Sequence, residues 1–297
     1  MPSDRYIQAV CEILRESIDV VENTLLEAGA ISVTFQDGAD QSILEPRLGE
    51  TPLWDKCIVK ALFAADIDTD TVCALISDCL AFSTSIHWEL LEDRDWSQEW
   101  KKYFKPIPCK AGRLWICPSW AEPPNTNAIT LHMDPGLAFG TGSHPTTMLC
   151  LNWLEMQSLE GKIVVDYGCG SGILGIAALL LGATKVFAID NDPQALLATR
   201  NNAQCNGIDK AKLITLLPEQ IPDNTQANVV LANILANPLI ELKDTISAMT
   251  LPAGQLCLSG ILIDQTEQIT SAYSKYFDFE ATNIDDNWVQ MGARKTG

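Results

Sequence analysis

A glycine-rich segment after an apolar run is the clearest chemical signal in this sequence. Residues 164–172 read Val-Val-Asp-Tyr-Gly-Cys-Gly-Ser-Gly, and a further apolar run begins at Ile173. This order is typical of a buried strand that enters a tight loop and then a helix. Glycines let the backbone amides of the loop approach a ligand closely, and the N-terminus of the helix favours a carboxylate. The segment therefore predicts a site for a ligand with an amino-acid carboxylate.

Asp190, at the end of the next predicted strand, is the second signal. A carboxylate at that position can accept hydrogen bonds from both hydroxyl groups of a ribose. A glycine loop alone is often an ordinary tight turn. The addition of Asp190 makes a nucleoside site the preferred interpretation.

The glycine loop also fits a competing class of enzyme. Gly170 to Gly175 matches the G-x-G-x-x-G pattern of dinucleotide-binding proteins, and Asp190 follows at a suitable spacing. That run begins several residues beyond the strand, whereas Asp166 and Gly168 occupy the positions that the first motif of a methyltransferase requires. The sequence favours S-adenosylmethionine as the cofactor and leaves a nicotinamide-dependent oxidoreductase as the alternative.

Strand and helix patterns alternate around these residues and predict an α/β fold class, because such alternation makes a parallel sheet with helices on both faces. The last two strands, 277–283 and 288–294, are joined too closely for a helical crossover, so we expect an antiparallel hairpin at one edge. The prediction is a Rossmann-like, seven-stranded methyltransferase domain over residues 111–297. The other expected strands are 162–167, 185–190, 212–216, 227–232 and 255–262, and the expected helices are 172–181, 193–206, 237–249 and 264–273.

Residues 1–94 show a different order of elements, which is that of a small ferredoxin-like α+β domain. Its expected strands are 6–13, 30–36, 57–64 and 86–91, and its expected helices are 20–28 and 68–80. An aromatic stripe at helical spacing follows and predicts a linker helix, residues 95–110, whose rings pack rather than bind a cofactor. The stripe consists of Trp96, Trp100, Tyr103 and Phe104.

Charge is distributed unevenly along the chain. The net charge is −18, and the first 95 residues hold six basic against nineteen acidic side chains. Such a surface repels phosphate backbones and attracts basic partners. We therefore expect no direct nucleic-acid partner, and surplus acid that serves solubility alone is an equal alternative.

Cysteine and histidine usage predicts no metal. The ten cysteines form no C-x-x-C pair, which is typical of free thiols in a reducing cytosol, and the three histidines lack cysteines at zinc-finger spacing. The longest apolar stretch, 173–183, is shorter than the roughly twenty residues that span a bilayer. The charged N-terminus lacks the apolar core of a secretory signal. These features predict a cytoplasmic protein without a membrane partner.

Two further segments carry a resemblance to a known family. Residues 134–147 read Asp-Pro-Gly-Leu-Ala-Phe-Gly-Thr-Gly-Ser-His-Pro-Thr-Thr, and residues 229–236 read Val-Val-Leu-Ala-Asn-Ile-Leu-Ala. Together with the glycine loop they resemble the methyltransferase family that modifies large-subunit ribosomal protein eleven. The resemblance extends over the whole chain, and these two segments are far more specific than the glycine loop.

The resemblance implies transfer of methyl groups from S-adenosylmethionine to the N-terminal α-amino group and to lysines of that basic protein. It implies that Thr147, Gly168, Asp190 and Asn233 contact the cofactor, and the glycine loop adds Gly170 as a cofactor-binding residue. A small N-terminal domain holds the substrate in such enzymes, in agreement with the acidic first domain here. We expect a monomer, and a non-catalytic ribosome-assembly protein with a vestigial cofactor site remains an alternative.

Asn233 is the candidate catalytic residue. Related methyltransferases carry Asn-Pro-Pro-Tyr at this point and grip a planar amide, whereas this chain has Asn-Ile-Leu-Ala, so the expected substrate is an aliphatic amine. The amine must arrive neutral and in line with the sulfonium methyl, so positioning and desolvation should dominate catalysis. The side-chain or backbone carbonyl of Asn233 would orient the amine. Water would remove its proton, because no general base stands out.

Four other residues near these motifs have a chemical interpretation that competes with a structural one. We expect His144 to shape its loop rather than act as a base, and Cys169 to fill space in the glycine loop. We expect Trp288 to pack in the core rather than line the substrate opening. Phe139 is evenly balanced between a cation–π contact with the sulfonium and a buried anchor.

Overall fold

The computed structural model describes residues 6–39, 54–80, 84–91, 104–121, 123, 128–134, 142 and 144–296. By its internal contacts the chain divides into two compact units, Met1–Lys102 and Tyr103–Gly297. The predicted linker helix, 95–110, lies mostly outside the described residues. Its described end holds a short strand, β5 (Ile107–Pro108), instead of helix, because prolines cannot continue a helical hydrogen-bond ladder.

The described part of the first unit is a four-stranded antiparallel sheet with two helices. The elements are β1 (Tyr6–Leu14), α1 (Ile18–Glu27), β2 (Ser32–Asp37), β3 (Lys56–Ala64), α2 (Thr69–Cys79) and β4 (His87–Leu91). Their order across the sheet is β2-β3-β1-β4. Asp68 caps α2, because its carboxylate accepts the backbone N–H groups of Asp70 and Thr71.

Burial alternates along the strands of this sheet. In β3 the even-numbered residues are exposed or half-buried, and the buried ones are Cys57, Val59, Ala61 and Phe63. Because successive side chains of a strand point to opposite faces, one face of the sheet is buried. That face and the apolar sides of α1 and α2 form a core, to which the helices contribute Val21, Leu25, Val72 and Ile76. The first unit therefore has a hydrophobic core of its own.

The second unit contains a large mixed sheet, a small three-stranded sheet and six helices in its described part. The small sheet has the order β5-β6-β7. The elements after β5 are β6 (Leu114–Cys117), β7 (Ile129–His132), α3 (Pro145–Glu155), β8 (Ile163–Tyr167), α4 (Ile173–Leu180), β9 (Lys185–Ile189), α5 (Pro193–Cys205), β10 (Leu213–Leu216), β11 (Ala227–Asn233), α6 (Ala236–Glu241), α7 (Lys243–Met249), β12 (Thr250–Leu262), α8 (Thr266–Tyr273), β13 (Phe277–Phe279), β14 (Asn283–Asp285) and β15 (Trp288–Lys295).

The large sheet has the order β10-β9-β8-β11-β12-β15-β13, and β14 also pairs with β15. The first five strands in this order are parallel, and β15 is antiparallel to each strand it pairs with. The predicted α/β class and terminal hairpin are confirmed. The expected number of seven strands is wrong for this sheet, because segment 277–283 leaves the ladder after Phe279 and returns only at Asn283, which makes eight.

Helices cover both faces of the large sheet. Neighbouring residues of β8 show the division, since Val164 lies in the core under α3, α4 and α5, and Val165 lies in the core under α6, α7 and α8. The predicted helix 237–249 is in fact two helices, because the backbone leaves helical geometry at Leu242, where ψ is 3°. No helix in the described part of the chain is long and apolar enough to cross a bilayer.

A buried hydrogen bond ties α8 to α6 and provides a test of this packing. The Tyr273 hydroxyl is fully buried and donates to the Leu239 carbonyl oxygen at 2.7 Å. We expect Tyr273→Phe to lower the free energy of unfolding by about 1 kcal/mol, because the buried carbonyl loses its partner. Urea unfolding measures this. Tyr276→Phe is the control, since the Tyr276 hydroxyl bonds Asp244 at the surface, and an equal loss in both variants would contradict the packing described.

Candidate active site

The residues predicted to bind the cofactor lie at one edge of the large sheet. Strands β9, β8 and β11 are parallel neighbours, so their carboxyl ends meet at the same edge. The glycine loop follows β8, Asp190 follows β9, and Asn233 ends β11. In open α/β sheets this edge is where ligands bind. The order of the strands therefore brings these three parts of the predicted site together.

The glycine loop has a backbone that other residues rarely adopt. Gly168, Gly170 and Gly172 have φ angles of +74°, +52° and +79°, in the left-handed region where a Cβ is strained. The N–H groups of Gly168 and Cys169 both donate to the Ile189 carbonyl oxygen, at 2.8 and 3.0 Å. The loop is thus fixed to the end of β9.

Helix α5 holds the loop from the other side. The Thr199 hydroxyl donates to the Gly170 carbonyl oxygen at 3.0 Å, and the Asn202 side-chain amide donates to the Ser171 carbonyl oxygen at 2.8 Å. These contacts fix the loop carbonyls, as the bonds to Ile189 fix the N–H groups of Gly168 and Cys169. Neither Thr199 nor Asn202 was predicted from the sequence. Their spacing, one helical turn apart on a helix that follows Asp190, is the only local signal that pointed to them.

Asp190 accepts a hydrogen bond from the loop, and its carboxylate can accept further hydrogen bonds. One carboxylate oxygen accepts the Gly170 N–H at 2.9 Å, and the other accepts the Asp192 N–H at 3.0 Å. Each carboxylate oxygen has about two acceptor sites, and the side chain is only half-buried. Asp190 can therefore take further hydrogen bonds from the hydroxyls of a ribose, as predicted, and its hold on Gly170 is an addition to that prediction.

Asp166 is buried beneath the loop. Its carboxylate accepts the Gly175 N–H at 2.9 Å, and burial, with a smaller contribution from the charge of Asp190, raises its pKa to about 7. A Cβ on Gly175 would lie 2.9 Å from a methyl of Val186 and 3.1 Å from the Asp166 carboxylate. Gly175, the last residue of the G-x-G-x-x-G match, thus serves close packing of α4 on the sheet.

Thr147 and Asn233 are in contact, although they are distant in sequence. The side-chain amide of Asn233 donates to the hydroxyl of the buried Thr147 at 3.4 Å. The side-chain oxygen of Asn233 is buried and has no hydrogen-bond partner among the residues that the structure describes. Buried acceptors are nearly always satisfied in folded proteins. An unsatisfied one at the edge where ligands bind indicates a place for a donor from a ligand.

His144 and Cys169 have structural contacts, as expected, whereas Trp288 is half-buried and is not among the core residues of the second unit's described part. His144 caps α3, since its Nδ1 accepts the Thr146 N–H at 3.3 Å, and its ring lies edge-on to that of the half-buried Trp288 at 5.2 Å. Burial lowers the pKa of His144. Burial also raises the pKa of the Cys169 thiol, which therefore stays protonated. Phe139 lies outside the described residues.

The site fits a nucleoside that carries an amino-acid group. The glycines leave the loop without side chains, the carboxylate of Asp190 is accessible, and the side-chain oxygen of Asn233 can accept a hydrogen bond. These features, at the carboxyl edge of a parallel sheet that ends in an antiparallel hairpin, define a methyltransferase of the α/β type. A dinucleotide-binding loop would begin at the tip of the strand, whereas Gly170 lies three residues beyond the end of β8.

Comparison with known proteins identifies the family. The model of the ribosomal protein L11 methyltransferase (PrmA) family matches residues 5–296. The ribosomal protein L11 methyltransferases of Cellvibrio japonicus and Hahella chejuensis are 53% and 51% identical to this chain, over 95% and 90% of both sequences in each pair. The crystal structure of ribosomal protein L11 methylase from Lactobacillus delbrueckii subsp. bulgaricus matches with a TM-score of 0.59 at 29% identity, covering 65% of this chain and all of that one.

This chain belongs to the ribosomal protein L11 methyltransferase family, and it is an S-adenosylmethionine-dependent methyltransferase. The alternative of a nicotinamide-dependent oxidoreductase is thereby wrong. The roles of Thr147, Gly168, Gly170, Asp190 and Asn233 toward the cofactor stay predictions, which the geometry of the edge supports.

The double role of Asp190 can be tested with one substitution. We expect Asp190→Ala to weaken binding of S-adenosylhomocysteine by about 2 kcal/mol, because the ribose loses a charged acceptor and Gly170 loses its anchor. Calorimetry measures the change. The control is Asp192→Ala, which removes the cap of α5 but no predicted cofactor contact. Unchanged affinity in Asp190→Ala would remove Asp190 from the site.

The buried Asp166 predicts a pH dependence of stability. Its pKa is about 7 in the folded protein, above the ordinary value of 3.8, so folding favours the protonated form. Its stabilising contribution is therefore complete below about pH 4 and is lost as the pH rises through about 7. We expect Asp166→Asn, which cannot ionise, to gain stability relative to the natural chain between pH 5 and 8. Urea unfolding across that range checks this, and a constant difference would contradict it.

Proposed function

We propose that this enzyme transfers methyl groups from S-adenosylmethionine to the N-terminal α-amino group and to lysine side chains of ribosomal protein L11. The names of the relatives give the protein that those relatives methylate. The observation that carries the proposal for this chain is the buried side-chain oxygen of Asn233 beside the glycine loop, which no described residue bonds. An amine N–H is a donor of the kind that this oxygen lacks.

We further propose a role for each residue of the cofactor site. The loop backbone at Gly168 and Gly170 lies against the cofactor, because glycines permit close approach. The N-terminus of α4 favours the amino-acid carboxylate, and Asp190 binds the ribose hydroxyls. Thr147 holds the side-chain amide of Asn233, so that the opposite side of that amide presents its oxygen. The cofactor would supply a methyl group on a positively charged sulfur. The amine would attack the methyl carbon as the bond between this carbon and the sulfur breaks.

The chain's own contribution to catalysis is positioning. A lysine or N-terminal amine must lose its proton before its lone pair can react, and water can accept that proton before the amine is enclosed. Asn233 then accepts one N–H of the neutral amine through its side-chain oxygen and directs the lone pair towards the methyl group. His144 has a structural role at the start of α3, where its Nδ1 accepts the Thr146 N–H.

The first unit is proposed to recognise the substrate. Its strand order and antiparallel pairing support a ferredoxin-like domain over residues 1–94. The linker 95–110 joins this domain to a catalytic methyltransferase domain over 111–297. The excess of acidic side chains in the first 95 residues suits a basic ribosomal protein better than RNA. We propose a cytoplasmic monomer that makes no direct contact with nucleic acid.

Mass spectrometry of purified protein L11, after incubation with this enzyme and S-adenosylmethionine, tests the reaction. We expect peptides with added methyl groups at the N-terminus and at lysines. L11 whose amines have been acetylated should remain unmodified. Full activity on the acetylated protein, or none on the natural one, would overturn the proposed function.

Asn233→Ala tests the assignment of the catalytic residue. We expect the methylation rate to fall by about 100-fold, because the amine loses the acceptor that aligns it, with folding preserved. The matched control is Asn228→Ala at the opposite end of β11, where the side chain accepts the Ile163 N–H at 2.9 Å. That change should alter stability and leave the rate within about twofold. Equal rates in both variants would contradict the role of Asn233.

A further inference from the structure

The residue after Asn233 is packed between two glycines. The Cγ2 methyl of Ile234 lies so close to Gly168 that a Cβ on this glycine would overlap it. The Ile234 backbone lies equally close to Gly260, where a Cβ would overlap the Ile234 carbonyl oxygen and come within 2.8 Å of the carbonyl carbon. Ile234 is therefore held on one side through its side chain and on the other through its backbone.

Gly260 reaches this position through a bulge in β12. In the pairing of β12 with β15, Leu258 lies opposite Met291 and Ile261 lies opposite Val289. The strand β12 thus carries one extra residue between these pairs. Gly260 has a φ angle of +82°, in the region where glycine is at ease and other residues are strained. Bulges of this kind bend a strand locally and redirect the residues beside it.

The bulge is also fixed to the end of the strand that carries the site. Ser259 lies opposite Asn233 in the parallel pairing of β12 with β11. Its buried hydroxyl donates to the Val289 carbonyl oxygen at 3.1 Å, which ties the bulge to β15. The position of Gly260 against the Ile234 backbone is therefore set by two neighbouring strands.

We propose that Ile234 is a positioning residue, a spacer clamped between Gly168 and Gly260 that fixes the Asn233 side-chain oxygen relative to the glycine loop. The inference rests on the proposed function, in which Asn233 orients the amine. The Ile234 side chain sets how near the end of β11 comes to the loop, and the contact with Gly260 sets the direction in which the chain leaves β11. In-line transfer depends on both, because small errors of position are costly in rate.

The clamp also bears on which groups near the end of β11 can accept a hydrogen bond from the amine. The Ile234 carbonyl oxygen is packed against Gly260, whereas the Asn233 side-chain oxygen has no hydrogen-bond partner in the described part of the chain. The side-chain oxygen of Asn233 is therefore favoured over the Ile234 carbonyl as the acceptor. The backbone carbonyl of Ile234 contributes by its packing.

Substitution of Ile234 separates positioning from cofactor binding. Ile234→Val keeps the Cγ2 methyl that meets Gly168, and Ile234→Ala removes it. We expect Ile234→Ala to lower kcat for methylation of L11 by about tenfold, with the affinity for S-adenosylhomocysteine unchanged within about twofold. Ile234→Val should restore kcat to near the natural value. Equal kcat in the alanine variant and the natural chain would overturn the proposal.

A double substitution tests the contact itself. Gly168→Ala places a methyl group on Ile234 and should lower kcat by more than about tenfold, and Ile234→Ala in the same chain should recover part of this loss. The control for backbone strain alone is Gly161→Ala, since Gly161 has φ +73° and open space around it. Gly260→Ala should not be rescued by Ile234→Ala, because the overlapping atoms belong to the backbone. A kcat of the double variant no higher than that of Gly168→Ala would overturn the proposal that Ile234 is a spacer.

The two proposals fail in different ways. If Asn233→Ala leaves the rate unchanged, the function assigned to Asn233 is wrong, whatever Ile234 does. If Asn233→Ala slows methylation and Ile234→Ala does not, the acceptor role of Asn233 is supported and only the positioning role of Ile234 is wrong.

Discussion

The site depends on a backbone turn that glycine alone adopts without strain. Three alternate residues, Gly168, Gly170 and Gly172, have positive φ angles, and any other residue at each would cost about 1–3 kcal/mol. The turn presents backbone rather than side chains, at the point where the chain passes from β8 to α4. Two N–H groups then bind one carbonyl oxygen of Ile189, so the conformation is fixed by the strand beside it. Without this turn no close approach of a ligand to the backbone is possible.

Neighbouring elements of the second unit hold this turn in place. Asp190 and the two α5 side chains, Thr199 and Asn202, bind the loop from one side, and Ile234 packs on it from the other. Asp190, which we propose as a cofactor ligand, therefore also holds the loop. The proximity of these residues to the loop follows from the sheet order, because parallel neighbouring strands end at the same edge and their loops meet there. The same order also explains why residues from four separate parts of the sequence lie within contact distance of one another.

The sequence predicted the features that depend on short segments of the chain. Apolar periodicity marked the strands and helices, and the glycine loop, Asp190, Thr147 and Asn233 were found from short motifs. What escaped prediction depends on contacts between distant segments. Thr199 and Asn202 are ordinary helix residues until the loop lies over them, and the bulge at Gly260 exists only in the register between β12 and β15. Segment 277–283 reads as one strand, but its middle leaves the ladder, which no local pattern records.

Two buried polar clusters of the large sheet differ in how they are satisfied. At the amino end, Gln255 accepts from the Lys162 ammonium at 3.1 Å and donates to Gln157 at 2.6 Å. At the carboxyl end, the Asn233 side-chain oxygen has no hydrogen-bond partner among the described residues, and Asp166 is a buried carboxyl group. An unsatisfied buried acceptor costs on the order of 1–3 kcal/mol of stability. A ligand with a complementary donor would relieve this cost at the edge where the glycine loop, Asp190 and Asn233 meet.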